Sequence, residues 1–289
     1  MREIVVLSGK GGTGKTSLVA SFAVLARNAV LVDCDVDAAD LHLLLEPQVE
    51  AVNEFWSGQT AFIRREKCIQ CDLCQTLCRF RAISDYQVDR ISCEGCAFCS
   101  RICPVDAVEM KQKLAGHWFV SETRYGYLVH AKLAVAQENS GKLVAAIRKE
   151  AHTIAVRNNH GLIISDGPPG IGCPVISSLS GADLAVLVTE PTLSGIFDLK
   201  RVLEVCQHFN VPAMICINKY DINPENTEQI LRFCEEKGIE VAAKIPFDSA
   251  VTQAIIKGFP VIEFYRGKVS SEIERLWSII LAKLQSLPA

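Results

Sequence analysis

Eight cysteines crowd into the stretch from Cys68 to Cys103, and their spacing is regular. Cys68-x-x-Cys71-x-x-Cys74-x-x-x-Cys78 is followed by Cys93-x-x-Cys96-x-x-Cys99-x-x-x-Cys103-Pro104, so one pattern is written twice. Two-residue spacers let a short loop turn three thiolates toward one point. That is metal chemistry rather than disulfide chemistry. Zinc sites normally pair two C-x-x-C motifs, whereas a triplet plus one suits the corners of an iron–sulfur cube.

A second chemistry is written near the N-terminus. Gly9, Lys10, Gly11, Gly12, Thr13, Gly14, Lys15 and Thr16 match G-x-x-x-x-G-K-[ST], with Ser17 next. Such glycines let backbone N–H groups wrap around phosphate. Lys15 can reach the β and γ oxygens of a nucleotide, and the Thr16 hydroxyl can ligate Mg²⁺. Lys10 is a second lysine that this cradle does not need; its plain alternative is a solvated surface charge.

These residues need elements to position them. Ile4–Leu7 is a short apolar run that reads as a buried parallel strand, and Ser17–Ala26 as the helix after the loop. Ala29–Val32 is a second strand ending at Asp33. From Gln48 to Gly58 the pattern weakens and predicts a linker. Beyond the cysteines, strands are predicted at 161–166, 184–188, 212–217 and 239–245, and helices at 194–208, 226–237 and 272–284. Gly116–Gly126 reads as a strand or hairpin, and Glu138–Leu143 as a helix start capped by Asn139 or Ser140. Strands alternating with helices imply a mostly parallel sheet with helices on both faces, an α/β fold.

The whole chain has 289 residues, 49% of them hydrophobic, enough for one large domain or one domain plus a small one. Net charge is −3 with no basic arm, which argues against nucleic-acid binding. Met1–Leu7 lacks the apolar core and cleavage site of a signal peptide, and no apolar run approaches ~18–20 residues. The expectation is a soluble cytoplasmic protein without stable membrane insertion. Of the thirteen cysteines, Cys34, Cys206, Cys216 and Cys234 read as core thiols. Cys173 reads as a small buried residue, the alternatives being contact with its twin across a dimer axis or metal binding.

The pattern K-G-G-x-G-K-T resembles the deviant phosphate loop of the MinD/ParA/Mrp ATPases, the superfamily that includes the nitrogenase iron protein. The resemblance covers roughly residues 1–47 and 112–289. It implies a P-loop NTPase fold, Mg²⁺-dependent ATP hydrolysis, and Lys10 reaching across a dimer to the partner's nucleotide. In Val32-Asp-Cys-Asp-Val-Asp37 it implies that Asp35 orients the attacking water and that Asp33 sits nearer the metal. Asp37 and Asp40 are expected to cap the next helix, a catalytic role being the alternative. Asp166 looks like the Walker B aspartate that holds Mg²⁺ through water, with Gly167–Gly172 as the loop that responds to the γ-phosphate. Asn218 resembles the base-binding element. Asp221 falls where GTPases read guanine, and ATP is favoured.

The cysteine pattern resembles the bacterial two-cluster ferredoxin. By that resemblance Cys68, Cys71, Cys74 and Cys103 hold one [4Fe–4S] cluster, and Cys93, Cys96, Cys99 and Cys78 the other. One departure is Arg79, where Pro104 follows the second run. The chain therefore looks like a MinD-superfamily ATPase with an inserted small α+β ferredoxin domain. The expected boundaries are 1–60 and 112–289 for the ATPase and 61–111 for the insert. The function implied first is ATP-driven dimerisation coupled to electron transfer through two clusters. The alternatives are an iron–sulfur or metallocluster assembly ATPase, and a MinD-like positioning ATPase with redox sensing. Implied partners are a second copy or a related ATPase, and a redox or metallocluster-binding protein. Arg64, Arg65, Arg124, His130 and Lys142 are candidates for a docking face, with ordinary surface and capping roles favoured. The C-terminal helix has only Arg275 and Lys283 as basic residues, and is expected to pack on the core rather than on a membrane.

Overall fold

The computed structural model describes residues 1–134 and 140–288. In chain order the elements are β1 (Arg2–Ser8), α1 (Lys15–Ala26), β2 (Val30–Asp33), α2 (His42–Leu45), β3 (Gln48–Ile63), α3 (Leu73–Thr76), β4 (Ile83–Ser84), β5 (Gln87–Val88), α4 (Phe98–Arg101), β6 (Val108–Thr123) and β7 (Gly126–Leu133). They continue with α5 (Ser140–Arg157), β8 (Leu162–Pro169), α6 (Cys173–Leu179), β9 (Leu184–Thr189), α7 (Leu193–His208), β10 (Ala213–Asn218), α8 (Pro224–Lys237), β11 (Val241–Ile245), α9 (Ser249–Ile256), α10 (Val261–Phe264) and α11 (Lys268–Ser286).

The chain divides into two compact units. The first comprises Met1–Asn53, Trp118–Lys132 and Ser140–Ala289; the second is built on Glu54–His117. In the first, the strand order is β11-β10-β9-β1-β8-β2-β7, continued by β6 and β3. From β11 to β7 every pairing is parallel. Because strand side chains alternate, β1 serves two cores. Ile4 and Val6 join α1 and α11 on one face, while Val5 and Leu7 join α6 and α7 on the other. This is the α/β P-loop architecture with helices on both faces of a mostly parallel sheet.

The last helix packs as its pattern predicts. Ile273, Leu276, Trp277, Ile280 and Leu284 are buried, and Trp277 stacks on Phe22 of α1 at 5.1 Å between ring centroids. Among the described residues no helix is long and apolar enough to cross a membrane. Cys34, Cys206, Cys216 and Cys234 are buried core thiols, and burial pushes Cys206 and Cys216 up to about 12.

Several expectations need correction. Gln48–Gly58 is no linker but the first part of β3. Most of its side chains are exposed, so neither face carries the alternating apolar signal that marks a half-buried strand. Asp37 and Asp40 do not cap α2: its N-cap position is Leu41, with no side-chain cap. The buried Asp33 takes that work instead, because it accepts the Leu41 N–H at 3.1 Å. Cys173 is exposed rather than buried, at the start of α6. Ser140 is the first residue of α5, and Asn139 lies outside the described residues.

Of the docking candidates in the first unit, Arg124 pairs with Glu263 at 3.7 Å and Lys142 is exposed. His130 is buried, stacked between His42 and Phe119. Burial, and then the neighbouring His42, lower its pKa to about 4. A histidine kept neutral in the fold but not in the unfolded chain binds fewer protons folded. Its stabilising contribution is therefore present above pH ~6.5 and is lost as pH falls toward about 4. His130→Phe should flatten that decline. Urea midpoints of both proteins between pH 7 and 4.5 check this, and parallel curves would contradict it.

Candidate functional site

The candidate phosphate-site residues lie in the C-terminal halves of strands or just beyond them in the first unit, where open parallel sheets place ligands. Asp33 and Asn218 end β2 and β10, and Asp166 lies inside β8, which runs on to Pro169. The loop Gly9–Gly14 leaves β1 and delivers Lys15 as the first residue of α1. Gly14 has φ 94, a left-handed value, and a Cβ there would stand 2.5 Å from Asn218 Nδ2. Gly9 has no room either: a Cβ would meet the Asp198 Cβ at 2.2 Å. By contrast, Gly11 and Gly12 face open space, as a phosphate cradle requires. Ser17 O accepts the Ser21 hydroxyl one turn on, so Ser17 continues the helix from the loop. Thr13 is buried and its carbonyl accepts from Asn218 Nδ2 at 2.8 Å.

Asn218 was expected at the base. Its amide oxygen also accepts from Lys219 N at 3.0 Å, so both ends of the amide are engaged and the Nδ2 end braces the loop. The Asp221 carboxylate is engaged by Phe247 N at 2.7 Å.

Lys15, Asp33 and Asp166 are all buried. Asp33 and Asp166 lie opposite one another on the paired strands β2 and β8. Burial raises both carboxyls, Asp166 to about 7, while Lys15 and a hydrogen bond from Thr16 pull Asp166 down. Asp33 is lifted further by the charge of Asp166. Its two oxygens accept from Asp35 N and Leu41 N, both at 3.1 Å, so it fixes the segment carrying Asp35. Asp166 Oδ1 is buried and has no protein partner. A buried Asp166 oxygen without a protein partner, with Thr16 and Lys15 near the same carboxyl, suits a hydrated Mg²⁺. Asp35 is half-buried; burial raises its pKa and Lys15 opposes this.

The Lys10 ammonium is held by residues that follow β9. Its Nζ donates to Thr192 Oγ1 at 3.1 Å and lies 3.3 Å from Glu190 Oε2. Sequence reading missed Glu190 and Lys219, which form an ion pair at 2.5 Å. It also missed Glu3, which is buried and accepts two hydrogen bonds from Arg148. Arg148 in turn donates to Ser177 O and Ser180 O at the end of α6, anchoring the helix that follows Gly167–Gly172.

The second unit has a very small apolar core. Ala61, Ile63, Ile83 and Val108 are its buried cluster, and Cys68, Cys74, Cys78, Cys93, Cys99 and Cys103 pack against it. The two cysteine runs have the same local build. Gln70 and Gly95, Asp72 and Ala97, and Arg81 and Asp106 occupy equivalent positions, and all have left-handed φ. Each run then forms a four-residue helix, α3 or α4. The fourth cysteine of each accepts a backbone N–H: Ala82 N to Cys78 Sγ at 3.4 Å, and Ala107 N to Cys103 Sγ at 3.2 Å. Five strained residues and one glycine in matched positions turn the backbone around the sulfurs.

Two cavities border these thiols. One, of about 20 Å³, is lined by Cys68, Cys71, Cys74 and Cys103. The other, of about 360 Å³, is lined by Cys93, Cys96, Cys99 and Cys78, with Cys74 also at its wall. Each triplet thus meets the fourth cysteine of the other run. The smaller cavity takes a cube only if its thiols spread. Among the described residues no group of three or more His, Cys, Asp or Glu converges on a single-ion position. Arg79 is exposed at the wall of the larger cavity. Arg64 is paired with Glu109, and Arg65 is exposed.

A lysine-bearing glycine loop between β1 and α1, with Asp166 on a neighbouring parallel strand, defines a P-loop nucleotide-binding protein. The chain belongs to the CobQ/CobB/MinD/ParA nucleotide binding domain family, which it matches over residues 4–261. It is 34% identical over 279 residues to the uncharacterized protein MJ0578 of Methanocaldococcus jannaschii, covering 95% of each chain. It is 27% identical to a putative septum site-determining protein MinD of Mesostigma viride, covering 90% of this chain and 76% of that one. Among solved structures, MinD of Pyrococcus horikoshii complexed with Mg-ADP superposes with TM-score 0.61 at 20% identity over 99% of both chains. A Cyanothece McdA(D38A)–ATP complex gives 0.60 at 18% identity over 100% of this chain and 98% of that one. At these identities the superpositions speak for the fold.

Proposed function

We propose that this protein is a MinD-like ATP-driven switch whose residues 61–111 form an inserted ferredoxin module holding two [4Fe–4S] clusters. The observation that carries the module is the pair of thiol cavities, each bordered by three cysteines of one run and the fourth of the other. A second observation supports it. A unit of this size whose core cluster holds four buried aliphatics, one of them an alanine, cannot supply much stability from that core, and small domains of this kind need a disulfide or metal staple. Its cysteines are free thiols, which leaves the metal.

In the ATPase the 1–60 and 112–289 segments divide the labour. The backbone of Gly9–Gly14 and Lys15 bind the β and γ phosphates. Thr16 and Asp166, with Asp33 behind them, would hold Mg²⁺, which supplies charge neutralisation at the phosphates. Asp35 orients water on the γ-phosphate. Asn218 keeps the loop in shape beside the base. Lys10 acts on the nucleotide of a second copy, so that ATP makes a dimer.

The clusters, when bound, supply one-electron redox capacity. Between the roles open to that capacity, the relatives named above favour a positioning switch that senses redox state over a dedicated electron carrier, since the named function among them is septum-site determination. The electron-transfer reading keeps one specific support, the full complement of eight thiols. The reduction potentials with ADP and then with ATP separate the two: a nucleotide-dependent shift favours gated electron transfer.

The module is tested by composition. Protein purified without oxygen should contain about eight iron and eight sulfide per chain. Iron near four, or stoichiometric zinc, overturns the assignment. The crossed ligation is tested by pairs of substitutions. Cys103→Ala should lose about four iron, Cys68→Ala with Cys103→Ala no more than that, and Cys93→Ala with Cys103→Ala about eight. Equal losses in the two double variants would refute it.

A further inference from the structure

Glu190 stands one residue beyond β9, and two lysines share its carboxylate. Oε1 lies 2.5 Å from Lys219 Nζ, and Oε2 lies 3.3 Å from Lys10 Nζ. The Glu190 side chain is only 10% exposed, so solvent screens these contacts weakly. Sheet order brings the three together. Lys10 follows β1, Glu190 follows β9 and Lys219 follows β10, and these strands are adjacent and parallel.

The backbone under Glu190 is held firmly. Thr192 N donates to Glu190 O at 2.8 Å. Thr192 Oγ1 caps α7 by accepting Gly195 N at 3.0 Å, and Asn226 Nδ2 donates to Pro191 O at 3.1 Å. The carboxylate therefore stays in place. Lys10 sits on a mobile four-carbon stem, so any movement toward another nucleotide is a departure of Lys10 from Glu190.

We propose that Glu190 is a positioning residue for Lys10, and that Lys219 tunes its hold. Glu190 keeps Lys10 within its own chain until an ATP-bound second copy offers phosphates that compete for the ammonium. This rests on the reading of Lys10 as a residue that acts across a dimer. Lys219 makes the exchange reversible in two ways. While Lys10 is present, Lys219 takes part of the carboxylate's charge and loosens the Lys10 contact. After Lys10 leaves, Lys219 still pairs with Glu190, so no nearly buried carboxylate is stranded without a partner.

The device predicts opposite signs for two charge-removing substitutions that are close in size. Glu190→Gln removes the hold and should tighten the dimer. Lys219→Gln gives Lys10 the whole carboxylate and should weaken it. A merely structural role for the cluster would move both the same way. Partly exposed ion pairs of this kind shift equilibria by up to about fivefold, which sets the scale.

The measurement is the dimer dissociation constant, by analytical ultracentrifugation, with Mg²⁺ and a non-hydrolysable ATP analogue held at saturation so that nucleotide affinity does not enter. Glu190→Gln should lower that constant by about three- to fivefold, and Lys219→Gln should raise it. In a Lys10→Ala chain, Glu190→Gln should bring no gain. A wild type that dimerises, with Glu190→Gln unchanged or weaker, or with both variants shifted in one direction, overturns the positioning role while leaving the dimer reading intact. A wild type and a Glu190→Gln variant that both stay monomeric overturn the dimer reading and this inference with it.

Discussion

Lys10→Ala is expected to slow ATP hydrolysis by about 10³-fold while leaving nucleotide binding by the single chain near normal. In the proposed site the cradle for the chain's own nucleotide is supplied by Lys15 and the loop backbone, while Lys10 Nζ is engaged by Glu190 and Thr192. A cation that arrives at a second copy's phosphates contacts them once the dimer has formed and gains most as charge develops during γ-phosphoryl transfer, while the single chain's own nucleotide never meets it. Its loss therefore falls on the rate rather than on ground-state affinity. A factor of 10³ corresponds to about 4 kcal/mol in the barrier. Truncation leaves no stranded charge behind, because Glu190 keeps Lys219. Asp35→Ala is the counterpart: it removes the water-orienting carboxylate and leaves the cradle, so the ATP-bound dimer should accumulate. Phosphate release and light scattering, with ADP and with ATP, separate the two. A Lys10→Ala chain that dimerises and turns over normally would end the trans-acting account.

Trp277→Ala is expected to destabilise the first unit by about 3–5 kcal/mol. That is a large share of the 5–15 kcal/mol that holds a typical domain folded. Trp277 is 6% exposed and stacks on Phe22, so truncation removes a large apolar surface and leaves a cavity between α11 and α1. The site should feel the change, because α1 begins at Lys15 and its other end is braced by this contact. Trp277→Phe keeps a ring against Phe22 and should recover more than half of the loss. Urea denaturation in saturating Mg-ADP and without nucleotide measures both. A loss below about 1 kcal/mol would mean that the cavity collapses fully or that α11 contributes little to the core.

Much of the site was legible because its pieces are contiguous in the chain. A glycine loop needs only its own residues, a preceding strand and a following helix, and all three are local signals. The same holds for the thiol triplets, whose two-residue spacers are a local signal. Buried parallel strands announced themselves as short apolar runs, and the final helix by its one-sided spacing. β3 was not legible. Most of its side chains are exposed, and hydrophobic alternation exists only where one face is buried. Cys173 was read as a small buried residue, yet its exposure depends on what packs over the start of α6.

By itself the sequence determined the phosphate loop and the parallel fold that carries it, and it set the spacing of the thiols on which the proposed module rests. Only the tertiary structure decided which groups meet. Asp33 and Asp166 become neighbours through the pairing of β2 with β8, more than a hundred residues apart in the chain. Glu190 falls between Lys10 and Lys219 because β9 lies between β1 and β10. The crossing of each cysteine triplet with the fourth thiol of the other run, by contrast, was already implied by the sequence resemblance, and the cavity linings agree with it. The physical reason is common to the carboxylate pair and the ion-pair cluster. Local spacing fixes what a short segment can bind, whereas the order in which distant segments pack is set by burial of the whole core, and that order assigns each charged or nucleophilic group its partner.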